Sequence, residues 1–185
     1  MVQKEKVLIH IHPSLSYIGR CLSIVNEDSH NILIHGASIH KEDNKKFIRW
    51  LDKYIISNKI NTKLKISKYK IEIKTIFRTI QNLFFFKVSK INRIYSKDII
   101  LDSICRRKSS IIYYRFTFLR GFLWIFFWLY YRFLVSYYKS IIEITNPNNI
   151  IVSHPVYIEY GSLLIAGTES NVKIIIISGA YLETD

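Results

Sequence analysis

Short runs of β-branched and aliphatic residues, separated by segments long enough for a helix, constrain the fold of this sequence most strongly. There are three such runs: those at 7–11 and 150–153 are each followed by a histidine-proline pair, and that at 31–36 ends in a glycine. Apolar residues at helical spacing after a serine predict a helix over 17–25. Strand, helix and strand within about thirty residues is the size of a βαβ unit.

The C-terminal part of the chain repeats this arrangement. The run at 150–153 is followed by a predicted helix over 157–170 and by a second apolar run at 172–179. A strand without polar alternation is typical of a parallel sheet that is covered on both faces. The sequence therefore predicts an α/β fold with a small parallel Rossmann-like sheet flanked by helices.

The middle of the chain differs from both ends in charge. Residues 41–139 contain 23 Lys or Arg and 6 Asp or Glu, a net charge of +17, whereas the whole chain of 185 residues has a net charge of +13. Apolar spacing predicts helices over 42–57 and 76–84, while 61–74 fits either an edge strand or a solvated basic loop. We therefore expect a single domain over 1–185 with a helical, basic and aromatic insertion over about 61–145.

The most hydrophobic segment covers residues 116–138. Only 121–131 is free of charge, between Arg120 and Arg132, and a membrane-spanning helix needs about 20 apolar residues. The segment is therefore expected to be too short to cross a bilayer. A buried core helix and a helix in the membrane interface, with Trp124 and Trp128 at head-group depth, both remain open.

Several common functional signatures are absent from the sequence. It contains no Walker A, GxGxxG, HExxH, GxSxG or CxxC pattern, so no cofactor and no metal is predicted. The two cysteines, Cys21 and Cys105, cannot form a disulfide framework, which is typical of a cytoplasmic protein.

Polar residues at the predicted strand ends are the first candidates for a site, because ligands of open α/β sheets bind there. His154 follows a strand and precedes Glu159, so it is a candidate general base with its pKa tuned by the carboxylate. Tyr157 and Gly161 either shape the same pocket or simply begin the helix. His12, after the first strand, is a candidate substrate contact or a hydrogen-bonded strand-end histidine.

A second candidate set lies in the basic region. Asp98, Asp102 and Arg106 are four residues apart and share one face if the segment is helical. With the two basic residues that follow, they form a cluster suited to phosphate, or else a solvated face with ion pairs. Basic residues interleaved with aromatics also suit single-stranded nucleic acid, but no RNP-like or helix-turn-helix pattern is present, so nucleic acid is not an expected partner.

Two stretches resemble a known family. Residues 94–107 resemble the G-D-L-I-Y-D-x-x-L-R segment of bacterial surface-polysaccharide biosynthesis proteins, and 150–161 with 172–179 resemble their later strand, S-H, x-x-Y-x-x-x-G, helix and strand portion. The glycine before Asp98 is Lys97 here, and the usual tyrosine before Asp102 is Leu101. Those proteins are glycosyltransferases with two Rossmann-like domains, which act on capsule or lipopolysaccharide.

This resemblance implies the acceptor-side, N-terminal domain of such a transferase, truncated or half of a split enzyme and inactive alone. The partners would be a nucleotide-sugar, held by an absent C-terminal domain, and a glycan or lipid-linked acceptor. The basic middle would attract the anionic inner face of the membrane. The alternative is a non-catalytic, basic protein of the membrane surface, anchored by residues 113–139.

Overall fold

A computed structural model of the chain describes residues 6–11, 31–36, 65–68, 71–106, 114–153 and 157–177. The predicted helices over 17–25 and 42–57 lie outside these residues. The elements are β1 (Lys6–Ile11), β2 (Asn31–Gly36), β3 (Lys65–Lys68), α1 (Ile73–Phe84), α2 (Lys90–Arg106), α3 (Thr117–Thr145), β4 (Asn149–Ser153), α4 (Ile158–Glu169) and β5 (Lys173–Ile177). The chain divides into two compact units: 1–70, 147–153 and 175–185 form the first, and 71–146 and 154–174 the second.

The five strands form one sheet in the order β3-β2-β1-β4-β5. β1 pairs in parallel with β2 on one side and with β4 on the other, and β2 pairs in parallel with β3. Val7, Leu8 and Ile9 are at most 2% exposed. Because successive side chains of a strand point to opposite faces, β1 is covered on both. The predicted α/β class with a small parallel Rossmann-like sheet is confirmed.

The start of β4 is held against the start of β1 by two hydrogen bonds. The Asn148 N–H donates to the Lys6 carbonyl at 2.8 Å, and the Lys6 N–H donates to the Asn148 side-chain oxygen at 2.9 Å. These bonds lie next to the register pair of Val7 and Asn149. They align two strands that are far apart in sequence.

Two features of the sheet refine the sequence predictions. The ambiguous segment 61–74 contains β3, an edge strand, so the strand alternative is correct for residues 65–68. The expectation that the final strand is covered on both faces is wrong, because β5 is the other edge of the sheet and Ile176 is 50% exposed.

In the second unit, α3 is the helix against which α1, α2 and α4 pack. Its C-terminal half is buried, with Val135 and Ile141 fully inaccessible. The helix ends at Asn146, which adopts the left-handed conformation with φ of 44° and donates its N–H to the Ile142 carbonyl. Asparagine tolerates this conformation, and the proline that follows prevents the helix from continuing.

The N-terminal half of α3 is largely exposed, including Phe118, Phe122 and Phe126. By length and composition alone α3 could cross a membrane, and only 22% of its most apolar 18-residue window is buried. The expectation that this segment is too short to cross a bilayer is therefore wrong on length. That expectation counted the uncharged stretch and not the 29-residue helix that contains it.

Helix α1 packs with its polar face inward. Its buried residues are Thr75 and Thr79, whereas its large apolar side chains are exposed (Ile73, Ile76, Phe77, Ile80 and Phe84). The inward face meets α3 through the Thr79 hydroxyl, the Asn82 amide, the Ser140 hydroxyl and the Glu143 carboxylate, here called the polar seam. Hydrogen bonds, and not apolar burial, therefore orient α1 against α3.

Candidate functional site

The order of the strands places a candidate site between β1 and β4. The chain proceeds from β1 to β2 and β3 on one side and then returns to the other side of β1. In open α/β sheets, ligands bind outside the carboxyl ends of the strands where the order reverses in this way. We call the carboxyl ends of β1 and β4 the switch-point edge.

The two strands that form the switch-point edge end at the same level. Ile9 is paired with Ile151, and each strand continues for two further residues, to Ile11 and Ser153. His10, one residue before the end of β1, is fully buried. The next residues in the sequence are His12 and His154. Both lie outside the described residues, so their predicted roles as substrate contact and base are untested.

Tyr157 and Gly161 form the beginning of α4. Tyr157 is the N-cap, with extended backbone, and its carbonyl accepts the Gly161 N–H at 2.7 Å. The Tyr157 ring lies 6.3 Å from that of Tyr160. These contacts give both residues a structural role and leave their predicted binding role open.

Glu159 lies in the first turn of α4, where a negative charge interacts favourably with the helix dipole. It is half-buried. Burial raises the pKa of the Tyr160 hydroxyl, and the Glu159 carboxylate raises it further. The Tyr160 phenol is therefore neutral near neutral pH and does not act as a general base. His154, whose pKa Glu159 was expected to tune, lies outside the described residues.

The predicted residues of the basic region lie on α2. Asp98 is exposed and Asp102 is half-buried. Burial raises the pKa of Tyr95, and Asp98 contributes to the same shift. Arg106 is the last residue of α2, and its side chain lies outside the described part of the chain. The helix that the phosphate-binding prediction requires is present, whereas the binding role is untested.

A polar junction between α2 and α4 escaped the sequence analysis. The Glu169 carboxylate accepts hydrogen bonds from the Ser89 N–H at 2.8 Å and from the Asn92 amide. Burial alone would raise the pKa of Glu169, but these two donors and Lys139 outweigh it and hold the pKa below its ordinary value. Ser89 precedes α2, and its hydroxyl accepts the Asn92 N–H as an N-cap does. The spacing of Ser89 and Asn92 could have indicated the start of α2 from the sequence. The contact with Glu169 could not have been predicted, because Glu169 lies far away in the sequence.

The second unit also contains a cavity of about 310 Å³ between α2 and α3. We call it the α2–α3 cavity. Its wall from α2 consists of Arg93, Ser96, Lys97 and Ile100, and its wall from α3 of Trp124, Ile125 and Trp128. The sequence analysis named the two tryptophans only as core or membrane-interface residues.

Trp128 is held in place from one side by Arg132. The guanidinium carbon of Arg132 lies 4.8 Å from the centroid of the Trp128 ring and 4.8 Å from that of Phe86. The same guanidinium donates to the Leu83 carbonyl at 3.1 Å. A cation between two rings is favourable, and its hydrogen bond to the backbone fixes its position.

A metal site is not evident in the part of the chain that the structure describes. Among residues 6–11, 31–36, 65–68, 71–106, 114–153 and 157–177, no group of three or more His, Cys, Asp or Glu side chains is placed to hold an ion.

Comparison with known proteins identifies structural neighbours only. No protein-family model and no curated protein sequence matches this chain. A CDPS from Fluoribacter dumoffii superposes with a TM-score of 0.51 at 9% identity, over 94% of this chain and 88% of that one. A pantoate-beta-alanine ligase from Francisella tularensis, complexed with beta-gamma ATP and beta-alanine, gives a TM-score of 0.48 at 9% identity, over 98% of this chain and 61% of that one. The first comparison shows a shared fold.

These neighbours overturn the assignment made from sequence resemblance. The resemblance to surface-polysaccharide glycosyltransferases is wrong, and so are the function and the partners inferred from it, because the neighbour that shares the fold over 94% of this chain is a CDPS and not a glycosyltransferase. The alternative of a non-catalytic membrane-surface protein is not supported by them either. The matching stretches were a strand, a turn and a helix, which every parallel α/β protein contains, so they could not separate one family from another.

Proposed function

We propose that the protein binds the 3′ end of an aminoacyl-tRNA at the switch-point edge and acts on its aminoacyl ester. The observation that carries this proposal is the position of β1 between β2 and β4, with β1 and β4 ending level. In such sheets this edge is where ligands, nucleotides among them, bind. The terminal adenosine and its ester are a ligand of that chemistry.

The distribution of charge favours a polyanion over a free nucleotide. The net charge of +17 over residues 41–139 extends through almost a hundred residues, whereas a mononucleotide needs only a few basic groups. A polyanion that spans this region would release counterions on binding. A large part of the favourable binding free energy would therefore come from contacts outside the switch-point edge. This argument replaces the expectation that nucleic acid is not a partner.

The first structural neighbour supports the same class of ligand. It is a CDPS, a tRNA-dependent cyclodipeptide synthase, and the shared fold extends over most of both chains. Because the identity is 9%, no residue role is transferred from it. The comparison adds one fact, which is that a protein with this fold is described by its name as tRNA-dependent.

Within this proposal His154 keeps the role of base. Its imidazole would take a proton from an amine or a water molecule as that group bonds to the ester carbonyl carbon, and would return the proton to the ribose oxygen when the carbon–oxygen bond breaks, which releases the deacylated tRNA and the new amide or the free amino acid. The binding roles of Tyr157, Glu159 and Gly161 at the beginning of α4 stay predictions. A cytoplasmic location, where tRNA is present, is part of the proposal.

The test compares three polyanions at physiological salt: an aminoacyl-tRNA, the same tRNA after deacylation, and single-stranded DNA of equal length. We expect the aminoacyl-tRNA to bind about tenfold more tightly than the deacylated form, because only it fills the switch-point edge. His154→Ala should abolish turnover of the ester with little change in affinity. The matched control Lys74→Gln removes one exposed charge on α1 and should weaken all three polyanions equally.

Equal affinity for all three polyanions, lost together as salt is raised, would refute the proposal and leave only unspecific charge attraction. If His154→Ala still distinguished the two tRNA forms and also kept full turnover of the ester, the role of His154 would be refuted and the rest of the proposal would stand.

A further inference from the structure

We infer that the α2–α3 cavity is a binding site for a small amphipathic anion, composed of a flat apolar body and one carboxylate. This site does not depend on the proposed function, because all its residues lie within 93–128 of the second unit. Its volume of about 310 Å³ is at the lower end of the range for small-molecule pockets.

The spacing of the lining residues explains why a pocket forms here. Arg93, Ser96, Lys97 and Ile100 repeat at three and four residues, so they lie on one face of α2. Trp124 and Trp128, four residues apart, lie on the facing side of α3. The two indoles are 39% and 44% exposed, which is unusual for side chains of this size within a helix pair. Large apolar side chains that remain accessible beside a cavity are available to a ligand.

The polar groups of the cavity select for negative charge. Its charged lining residues are Arg93 and Lys97, both cations and both exposed. The third polar residue, Ser96, is 6% exposed and already donates its hydroxyl proton to the Arg93 carbonyl at 2.7 Å. The guanidinium and the ammonium can donate to any acceptor, but a carboxylate forms charge-assisted hydrogen bonds with them that are roughly twice as strong as those of a neutral acceptor.

The apolar wall selects for a flat ligand body. Trp128 is fixed by the Arg132 guanidinium at 4.8 Å, which is in turn held by the Leu83 carbonyl. A ring that is already immobilised loses little entropy when a ligand packs against it. Ile100, which is 3% exposed, and Ile125 complete the apolar contact surface. The chemical class is thus an aryl-alkyl carboxylate.

The test uses 3-phenylpropionate, with 3-phenylpropionamide as the neutral analogue of equal size and acetate as the anion without a ring. Binding is followed by tryptophan fluorescence, since two of the three tryptophans of the chain line the cavity, and by calorimetry. We expect saturable binding of the carboxylate with Kd of about 0.1 mM. The amide should bind about tenfold more weakly, and acetate should not bind measurably.

Variants then locate the site. Arg93→Gln and Lys97→Gln should each weaken the carboxylate about three- to tenfold without affecting the amide, because they remove charge and little apolar surface. Trp124→Leu should weaken both ligands. Lys74→Gln removes the same charge on a different helix and should change neither. Far-ultraviolet circular dichroism confirms that each variant is folded.

Three results would overturn the inference: no saturable binding of 3-phenylpropionate, equal affinity for the carboxylate and the amide, or unchanged affinity in both Arg93→Gln and Lys97→Gln. The two glutamine variants alter exposed side chains, so the test does not depend on the folding of Trp124→Leu.

Discussion

Two serines on α3, one helical turn apart, provide a direct test of the polar seam. Ser136 and Ser140 are both fully buried, and each becomes alanine by loss of one oxygen atom. The Ser140 hydroxyl lies 3.3 Å from the Thr79 hydroxyl and accepts from the Asn82 amide at 3.1 Å. The Ser136 hydroxyl has no hydrogen-bond partner among the residues that the structure describes. The same substitution should therefore have opposite effects at the two positions.

The magnitudes follow from the bonds that each substitution removes. Ser140→Ala removes two hydrogen bonds, that from the Asn82 amide at 3.1 Å and that of the Ser140 hydroxyl to the Ser136 carbonyl at 2.8 Å, each worth about 1 kcal/mol. The Thr79 hydroxyl, at 3.3 Å from Ser140, has a single proton and directs it to the Thr75 carbonyl. Thr79 keeps its bond to the Thr75 carbonyl at 2.7 Å, and Asn82 keeps its contact with Glu143 at 3.4 Å. These remaining partners reduce the expected loss to about 1–2 kcal/mol of unfolding free energy. Ser136→Ala removes a buried hydroxyl and its desolvation penalty, so a gain of roughly 0–1 kcal/mol is expected.

The assay is equilibrium unfolding in urea, followed by circular dichroism at the helix signal for the native chain and the two variants. A change in the midpoint at constant slope reports a change in stability alone. If Ser136→Ala were destabilised as much as Ser140→Ala, the cost would come from loss of packing volume, and the polar seam would not orient α1. If Ser140→Ala were unchanged, the two hydrogen bonds would contribute nothing.

Two further predictions concern pH. The pKa of Glu169 is lowered by the Ser89 N–H and its other partners, so its contribution to stability is present above about pH 4.3 and is lost as pH falls through the folded-state pKa. Glu169→Gln should lose less than about 1 kcal/mol near neutral pH, because the carboxylate is partly exposed and solvent screens its charge. Thermal unfolding should show the difference from the native chain vanishing in acid, and a constant difference would contradict this assignment. Burial raises the pKa of Tyr131 to about 12 against an opposing effect of Ser96, so the unfolded chain ionises first and the folded chain loses roughly 2–3 kcal/mol between about pH 10 and 12. In urea titrations, Tyr131→Phe should reduce this loss of stability at high pH. Tyr114→Phe, at a 66% exposed position, should not reduce it. If stability fell equally steeply with pH in the two variants, burial of Tyr131 would not be the cause of the loss.

The elements of the C-terminal part could be predicted from the sequence because their signals are local. The helix expected over 157–170 is Ile158–Glu169, and the strand expected over 172–179 is Lys173–Ile177. A proline, a glycine or an asparagine lies near most of these ends, and each acts on the residues beside it. The burial of β5 could not be predicted in the same way, because it depends on which strand lies at the edge of the sheet. The apolar run of β5 gave no information on that point.

The orientation of α1 could not be predicted from the spacing of its apolar residues. The spacing of Ile76, Phe77 and Ile80 predicts a helix with one apolar face, which is correct, but it does not indicate which face is buried. The buried face is set by Ser140 and Glu143, which lie about sixty residues further along the chain. An inward polar face needs partners of matching geometry, and no pattern within α1 encodes them.

The site residues named from the sequence stay predictions, but the sequence and the structure can be compared at the strands that precede them. The sequence places His12 and His154 directly after strands or near their ends, and the structure makes those two strands neighbours that end level. The strand order itself could not be derived, because it depends on β4 returning to the free side of β1 after more than a hundred residues. The family assignment failed for the related reason that its motifs were short elements whose meaning depends on the surrounding topology.

The lengths of the helices explain why the second unit leaves aromatic residues accessible. α3 has 29 residues and extends about 44 Å, whereas α1 and α4 have 12 residues each and extend about 18 Å. The hydrogen bonds between α1 and α3 lie on the C-terminal half of α3, from Arg132 to Glu143, whereas Trp124 and Trp128 precede this segment. Of the helices in this unit, α2 lines the turns that contain these tryptophans, and its facing residues include an arginine and a lysine where a core would require apolar groups. The exposed tryptophans therefore follow from a long helix that is only partly covered, and the cations beside them make this surface suitable for an anion.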